Sequence, residues 1–273
     1  MDDAETREEK KGVHRILQIL ACSDLRKSLA EALRNGESLT LSQLSERVGA
    51  SSPAAVHALR ELAKEHVTYQ DEKRNYLLTN IGEIVMRKLE DINKGLNALS
   101  KHRQFWLEHD LSGIPNNLLD RIGCLEDSEV ISSTTTDLFK VISIYNMLLE
   151  NAKQVRGVTP FFTEDMPASF QKMMAKGGDT ELVFTSEVLD AVLEHVDRSL
   201  LKEALQTNLK FFTIERAPSV AFTVTDYFMS IGFYRHDGAY DWSKEILSYS
   251  EDSLRWGREL YKYYVEQAEA VVL

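Results

Sequence analysis

The stretch between residues 40 and 80 constrains the fold more than any other part of the sequence. Thr40 and Gln43 have the spacing of a capping box, which predicts a helix that begins just after Thr40. Gly49 follows the last apolar position of this helix, where glycine readily adopts the left-handed conformation that ends a helix. Ser52 before Pro53 predicts the start of a second helix, with Ser52 as its cap.

A pair of short strands is predicted after the second helix, over Val67–Gln70 and Tyr76–Leu78. Their connection carries Lys73 and Arg74, as the wing of a DNA-binding module does. Helix, turn, helix and charged hairpin in this order favour a winged helix-turn-helix. The alternative is a helical hairpin with no role in DNA binding.

The second helix has a face of small and polar side chains that fits the major groove. Val56, Leu59, Leu62 and Ala63 are predicted to be buried, and Ala58 is placed on the opposite face. Contacts with bases are expected from Ser51, Ser52, Ala54 and His57, and contacts with phosphates from Arg47, Arg60, Lys64, Lys73 and Arg74.

Charge is distributed unevenly along the chain, whose formal net charge is −11. Residues 1–104 carry 17 basic and 16 acidic side chains, whereas residues 105–273 carry 15 basic and 27 acidic ones. The acidic part would repel a phosphate backbone, which favours a DNA-binding module joined to a domain with another task. The alternative is that the acidic part is simply a solvated surface. Since Glu61 and Glu65 lie on the proposed DNA-binding face, one module should bind weakly, and two copies are expected.

A long helix is predicted from Ile81 to about Gln104. Its apolar residues recur at intervals of four and three, which is the spacing of a heptad seam between two helices. The seam predicts a homodimer; the alternative is that it packs on its own chain. The dimerisation residues are Val85, Leu89, Ile92, Leu96 and Leu99.

We predict an α+β chain in three parts: a winged helix-turn-helix in residues 1–80, a linking helix in 81–104 and an α/β regulatory domain in 105–273. Helices alternate with strands in the last part, which predicts a mixed sheet with helices packed on it. Helices are predicted over 137–152, 167–176 and 188–206 and from residue 250 to the end, and strands over 129–132, 155–158, 181–185, 209–214, 220–224 and 228–234.

Cys22 and Cys124 are far apart and form no motif, which is typical of a reducing cytoplasm. The chain has no apolar run of the roughly 18 residues that a membrane span requires. We therefore expect a cytoplasmic protein that is not bound to membranes.

Five stretches of the chain carry a resemblance to a known family: Ser23–Arg26, His109–Pro115, Leu118–Gly123, Phe222–Asp226 and Gly238–Asp241. In these stretches the chain resembles archaeal, mainly methanogen, transcriptional regulators. This resemblance implies an arsenical-resistance-repressor-like winged helix followed by a methanogen regulatory domain of the FilR type. It further implies control of transcription on double-stranded DNA, with the second domain as receiver of a small-molecule or protein effector.

Loops at the ends of strands are where an α/β sheet usually binds small molecules. Phe161, Phe162 and Tyr234 are expected to supply apolar walls for a ligand. The alternative is that the arginines form surface ion pairs and the aromatic rings fill the core. The candidate ligand-binding residues are Thr185, Ser186, Arg216, Asp226, Arg235 and Asp241.

No motif of a known catalytic site or cofactor site occurs, including the glycine-rich nucleotide loops, the HExxH zinc motif and the serine nucleophile elbow. We therefore expect no enzyme activity and no cofactor. Two other functions stay open. One is a protein-interaction module that uses the winged helix and the acidic domain, and the other is an enzyme built on the second domain.

Overall fold

The computed structural model describes residues 15–164, 168, 172, 177–196 and 198–271. The chain divides into two compact units, of which the first ends at Ile92 and the second begins at Asn93. The boundary falls within one long helix. Each unit has its own apolar core. None of the described helices has the length and apolar character that crossing a membrane requires.

The first unit is a helical bundle with a two-stranded hairpin, as predicted for a winged helix-turn-helix. A short 3-10 turn at Arg34–Gly36 follows the second helix, and Leu39 pairs with Tyr76 beside the hairpin. The elements are α1 (residues 15–21), α2 (Asp24–Ala32), α3 (Leu41–Val48), α4 (Ser52–Lys64), β1 (Thr68–Gln70), β2 (Tyr76–Leu78) and α5 (Asn80–Lys101).

Local signals in the sequence predicted the ends of α3 correctly. The Thr40 side chain accepts a hydrogen bond from the Gln43 amide, and the Gln43 side chain accepts one from the Thr40 amide, which completes the capping box. Gly49 ends the helix with a φ of 67°, in the left-handed region. The prediction for α4 was wrong by one residue: the cap is Ser51 rather than Ser52.

The buried face of α4 differs from the prediction at Ala58 and at Ala63. Ala55, Ala58, Leu59 and Leu62 are buried in the core of the first unit. We expected Ala58 on the exposed face, but Ala58 follows Ala55 by three residues and precedes Leu62 by four, so it lies on their side of the helix. Ala63, expected to be buried, is exposed.

The predicted dimer seam on α5 is divided by the fold. Leu89 is buried in the core of the first unit, and Val85 packs against that core. These two residues therefore do not belong to an exposed seam, which corrects the prediction. Met86, which lies between them in sequence, is also buried and anchors the same side of α5.

The second unit is a mixed α/β structure, in agreement with the predicted fold class. Its described helices are the end of α5, α6 (Arg103–Glu108), α7 (Asn116–Leu119), α8 (Lys140–Leu149), α9 (Ser186–His195), α10 (Arg198–Thr207) and α11 (Glu251–Val265). Its strands are β3 (Glu129–Ser132), β4 (Gln154–Val158), β5 (Asp179–Phe184), β6 (Leu209–Thr213), β7 (Val220–Thr225), β8 (Met229–Phe233), β9 (Lys244–Ser248) and β10 (Glu269–Ala270).

These strands form one eight-stranded sheet in the order β10-β6-β5-β4-β7-β8-β9-β3. The pairs β4–β5 and β5–β6 are parallel, and the other pairs are antiparallel. Because side chains alternate between the two faces of a strand, each face has a core of its own. One core includes Trp256 and Leu260 of α11, and the other includes Leu149 of α8 and Val192 of α9.

Two strands were not predicted. No element was predicted for Lys244–Ser248, which forms β9 beside β8. The last helix was predicted to continue to the end of the chain, whereas α11 ends at Val265 and β10 follows. The predicted helix over 167–176 lies largely outside the described residues.

Gly82 should be required for the first unit to fold stably, because a Cβ atom there would lie 2.1 Å from the backbone oxygen of Val67. We expect Gly82→Ala to lower the free energy of unfolding by about 3 kcal/mol. Gly95→Ala is the matched control on the same helix, since its Cβ would meet nothing closer than 4.0 Å. That change should stabilise by about 0.5–1 kcal/mol through helix propensity. Calorimetric unfolding of both variants provides the measurement, and equal effects would contradict the packing argument.

Candidate DNA-binding surface and ligand cavity

The start of α4 presents a face of small and polar side chains to solvent. Ser51, Ser52, Ala54 and His57 are all exposed. Arg60 follows His57 by three residues, which places it one turn further along the same side, and it is exposed as well. The geometry required of a helix that enters a major groove is therefore present at this end of α4.

Acidic side chains reduce the positive charge at the other end of α4. Lys64 lies 2.6 Å from Glu61, and this contact lowers the pKa of the Glu61 carboxyl. Arg15 lies 3.6 Å from Glu65. Because Lys64 already has a carboxylate partner, its attraction for a phosphate is weaker than that of a free lysine.

The connection between β1 and β2 holds two cations at an exposed tip. Asp71 organises this turn by accepting hydrogen bonds from the amides of Asn75, at 2.7 Å, and Arg74, at 3.0 Å. Arg74 has a φ of 65°, and the Gln70 side chain donates to its carbonyl oxygen. Lys73 and Arg74 form no ion pair within the described part of the chain, so both remain available to phosphates.

Arg47, near the end of α3, is the remaining predicted phosphate contact. Its side chain is exposed and donates a long hydrogen bond of 3.4 Å to the carbonyl oxygen of Ala32. This contact leaves most of the guanidinium hydrogen-bonding capacity unused. Arg47 therefore remains a candidate on the edge of the helix-turn-helix.

A line of exposed apolar side chains runs along α5. Ile92 is 51% exposed, Leu96 55% and Leu99 40%. Ile81 and Ile84 are also exposed, and at 3.6 residues per turn they lie on the same side of the helix as Ile92. We call these five residues the α5 stripe. It retains three members of the predicted seam and replaces Val85 and Leu89 by Ile81 and Ile84.

The second unit contains a cavity of about 120 Å³ between α8 and the sheet. Its helical wall comes from α8, and its floor comes from the central strands. Phe161, one of the aromatic residues expected to form a ligand wall, lines this cavity. The lining further includes Val141, Ile142, Tyr145, Leu149, Gly157, Thr159, Leu182, Ala221, Thr223, Tyr240, Trp242 and Glu245.

The cavity exists because the strand residues that face α8 are small. Gly157 on β4 and both Ala221 and Thr223 on β7 line it directly. Gly232 on β8 creates further room, which the Tyr240 side chain occupies: a Cβ atom at Gly232 would lie 2.1 Å from the Tyr240 hydroxyl oxygen. Side chains of ordinary size at these positions would fill the space.

Several polar groups lie within this largely apolar lining. The hydroxyl groups of Tyr145 and Thr223 are 2.9 Å apart. Glu245 projects from β9 and is hydrogen-bonded to Ser230. Burial raises the pKa of the Glu245 carboxyl to about 7, although the Ser230 bond acts in the opposite direction. Burial also raises the pKa of the Tyr145 hydroxyl to about 12, although its hydrogen bond with Thr223 acts in the opposite direction.

Three aromatic rings meet at one side of the cavity. The Phe161 ring centre lies 4.6 Å from that of Tyr240 and 4.4 Å from that of Trp242. The rings of Tyr240 and Trp242 are 4.8 Å apart. Trp242 is about half exposed, so this aromatic cluster reaches from the cavity to the surface of the unit.

The six predicted ligand-binding residues do not converge on one site. Thr185 caps α9 by accepting a hydrogen bond from the Val188 amide, and Ser186 is exposed. Asp226 accepts hydrogen bonds from the amides of Lys153 and Gln154, which fixes the turn after β7.

Arg216 and Arg235 are exposed, and neither lines the cavity beneath α8. Arg235 instead borders a shallow, more polar cleft together with Tyr234, which had been expected to form a ligand wall. Phe162 packs in the core on the α8 side of the sheet. Of the six predicted residues, only Asp241 lines the cavity.

Asp241 joins two of the stretches that carry the family resemblance. Its carboxylate accepts hydrogen bonds from the amide and hydroxyl of Ser243 and lies 3.2 Å from Nε2 of buried His109. Burial opposes ionisation, but these bonds hold the pKa of Asp241 below its ordinary value. Since Nδ1 of His109 donates to the Phe105 carbonyl oxygen, both ring nitrogens face acceptors. The pair therefore ties α6 to the turn before β9.

Glu245 was missed because β9 was missed. Glu245 and Leu247 point to the α8 side of the sheet, while Ile246 points to the other side. The alternation of Ile246 with its charged and apolar neighbours was the available signal, but it is short. No group of His, Cys, Asp and Glu side chains in the described residues is arranged to hold a metal ion.

Glu245 should make stability depend on pH. An acid whose folded pKa is about 7, against an ordinary value of 4.5, stabilises the fold fully below pH 4.5, and this contribution is lost as pH rises through 7. Glu245→Gln keeps a neutral partner for Ser230 at every pH. We expect its stability relative to the unsubstituted chain to be about 2 kcal/mol greater at pH 8 than at pH 5. Chemical unfolding at both pH values measures this difference, and a pH-independent effect would contradict the burial of the carboxyl.

Comparison with known proteins adds two family matches. Residues 14–97 match the N-terminal domain of the methanogenesis regulatory protein FilR1, and residues 138–267 match its middle domain. The methanogenesis regulatory protein FilR1 of Methanothrix harundinacea (strain 6Ac) is 27% identical over 268 residues. The alignment covers 96% of this chain and 59% of that relative.

Two solved structures show weak similarity to this chain. TrmBL2, an archaeal chromatin protein, has a TM-score of 0.43 and 14% identity, with 90% of this chain and 93% of that chain covered. A complex of S. aureus MepR with DNA has a TM-score of 0.28 and 15% identity, with 38% and 90% covered. At such scores we draw no conclusion from either structure.

The two family matches cover most of the sequence, and both are domains of one regulatory protein. They agree with the resemblance to methanogen regulators, while the arsenical-resistance-repressor-like character of the winged helix stays a prediction. The chain belongs to the family of the methanogenesis regulatory protein FilR1.

Proposed function

We propose that this protein is a sequence-specific DNA-binding transcriptional regulator that acts as a dimer in the cytoplasm and whose second unit receives an effector. The observation that carries the DNA-binding proposal is the exposed, small-faced start of α4 followed by a cationic hairpin tip. Membership in a family named for a regulatory protein supports the same function.

In this proposal α4 enters the major groove and reads bases through Ser51, Ser52, Ala54 and His57. Small side chains allow the helix backbone to approach the base edges, and the hydroxyl and imidazole groups supply hydrogen bonds. Arg47, Arg60, Lys64, Lys73 and Arg74 hold phosphates and so position the helix.

The module presents few cations in all, so a single copy holds DNA weakly. Lys64 is paired with Glu61, whereas Arg60, Lys73 and Arg74 carry no ion pair among the described residues. Because phosphate contacts supply most of the non-specific affinity, two copies are needed for firm binding. The α5 stripe is the surface that we propose to join them, with a second copy of this chain as its partner.

The small-molecule part of the proposal rests on the cavity beneath α8. An apolar cavity with a few inward-facing polar groups is the usual form of a ligand site. Tyr145, Thr223 and Glu245 are such groups here. The effector site therefore differs from the one expected at Arg216, Arg235 and the ends of the strands.

Selection of DNA from a random pool tests the function directly. We expect enrichment of a two-part sequence whose halves lie about one helical turn apart, because a dimer presents two recognition helices. Failure to enrich any sequence would remove DNA recognition from the proposal and favour a protein-interaction module.

The selected DNA then tests the hairpin tip. Lys73→Ala with Arg74→Ala should flatten the salt dependence of binding by roughly two units per bound copy, since each phosphate contact contributes about 0.9 to the slope. Arg255→Ala with Lys262→Ala on α11 removes the same charge from the second unit and is the control. Gel-shift titrations at several salt concentrations measure both slopes, and equal slopes for the two double variants would exclude the tip from the interface.

The α5 stripe is tested by Leu96→Asp. Sedimentation equilibrium should show twice the 31.1 kDa of one chain before substitution and a shift towards one chain mass afterwards. Loss of two buried leucines and burial of two charges should raise the dissociation constant about a hundredfold or more. Leu107→Asp is the matched control, because Leu107 is also an exposed leucine but lies on α6. A dimer that survives Leu96→Asp would place the interface elsewhere.

A further inference from the structure

Charge decides which ligands suit the cavity of the second unit. Among the described residues, its lining contains three groups that carry charge: Asp241, Lys244 and Glu245. Lys244 pairs with Glu108, and Asp241 is held by Ser243 and His109. Within the described part of the chain, Glu245 has only the hydroxyl of Ser230 as a partner and no cation. The cavity therefore offers one carboxyl group without a counter-charge.

The aromatic cluster also favours a positively charged ligand. Phe161, Tyr240 and Trp242 each line the cavity, and their ring centres lie within 4.8 Å of one another. The negative faces of aromatic rings attract cations, and tryptophan does so most strongly. The Glu245 carboxyl group and the aromatic rings therefore both favour a positively charged ligand.

An anionic ligand fits poorly in the same space. It would meet Glu245 and Asp241, and Lys244, which also lines the cavity, is already paired with Glu108. A neutral alcohol could bond to the hydroxyl groups of Tyr145 and Thr223, but these two already bond to each other. The Glu245 carboxylate repels an anion, and it can accept a hydrogen bond from an alcohol, but only a cation supplies the counter-charge that it lacks.

Size limits the ligand further. The cavity volume is about 120 Å³. An apolar protein cavity of roughly 150 Å³ holds one benzene molecule. The occupant that the cavity encloses is therefore a molecule of about five non-hydrogen atoms, and a larger ligand has to extend past half-exposed Trp242.

We propose that the cavity binds a small protonated amine, with its nitrogen on the Glu245 carboxylate and its apolar part against Phe161, Tyr240 and Trp242. This proposal rests on the proposed role of the second unit as an effector receiver and names the class of effector. Binding would give the Glu245 carboxylate a counter-charge and so form an ion pair. The ion pair offsets the free-energy penalty of holding an unpaired carboxylate inside the protein.

Matched probes test the charge preference on the full chain. Isothermal titration calorimetry at pH 8 would compare benzylamine, benzyl alcohol and benzoate, and then isobutylamine with isobutanol. We expect at least one amine to bind, and to bind at least tenfold more tightly than its alcohol, with no binding of benzoate. Equal binding of amine and alcohol, tighter binding of benzoate, or no binding of any probe would overturn the proposal.

Variants locate the site. Glu245→Gln should abolish the difference between amine and alcohol, and Trp242→Ala should weaken amine binding at least threefold. Because Trp242 is half exposed, its variant should fold even if Glu245→Gln does not. Glu259→Gln is the control, since Glu259 is an acid paired with Arg121 on α11. Amine binding that both cavity variants retain would place the amine elsewhere and overturn the proposal.

Failure of the amine proposal can be distinguished from failure of the proposed DNA-binding function. Enrichment of a DNA sequence without amine binding would overturn the ligand class alone. Amine binding without enrichment of any DNA would leave the cavity assignment standing and overturn the regulator. If both hold, addition of the amine should change the affinity for the selected DNA.

Discussion

Burial of the central strands on both faces is the constraint on which the second unit depends. β7 and β8 are buried along their whole length, so helices must cover the sheet on each side. On the α11 side, large side chains such as Phe233 and Trp256 fill the layer. On the α8 side, Gly157, Ala221 and Thr223 leave a space that the helix cannot close. Protein interiors are normally packed without such spaces, which is why this one is the strongest candidate for a ligand site.

The first unit depends on a different balance. Its core uses Leu29, Leu44 and Leu59 from three helices to hold α4 with one face outward. The exposed face has the shape of a groove-reading helix but little net charge, because Glu61 offsets Lys64. Free cations are instead concentrated at Lys73 and Arg74, at the tip of the hairpin. Because phosphate contacts supply most of the non-specific affinity for DNA, the hairpin tip can contribute more of that affinity than α4 can.

The sequence predicted much of the fold but less of the candidate sites. The capping box at Thr40 and the left-handed Gly49 depend on hydrogen bonds and backbone sterics within a few residues, so the sequence shows them directly. The seam on α5 was only partly correct, since a heptad pattern identifies apolar residues but not what covers them. Leu89 is covered by its own chain, while Leu96 is exposed. Glu245 was missed because a charged residue in a five-residue strand resembles a surface position until its neighbours are known.

By itself, the sequence determined the winged helix-turn-helix, the mixed α/β character of the second unit and the membership of a regulator family, because these follow from local capping, periodicity and recognisable stretches of residues. Only the tertiary structure decided which apolar residues of α5 are exposed, that His109 pairs with Asp241, and that a cavity lies beneath α8. These features depend on side chains far apart in the chain, such as Tyr145 and Thr223, which come into contact only when the sheet has formed.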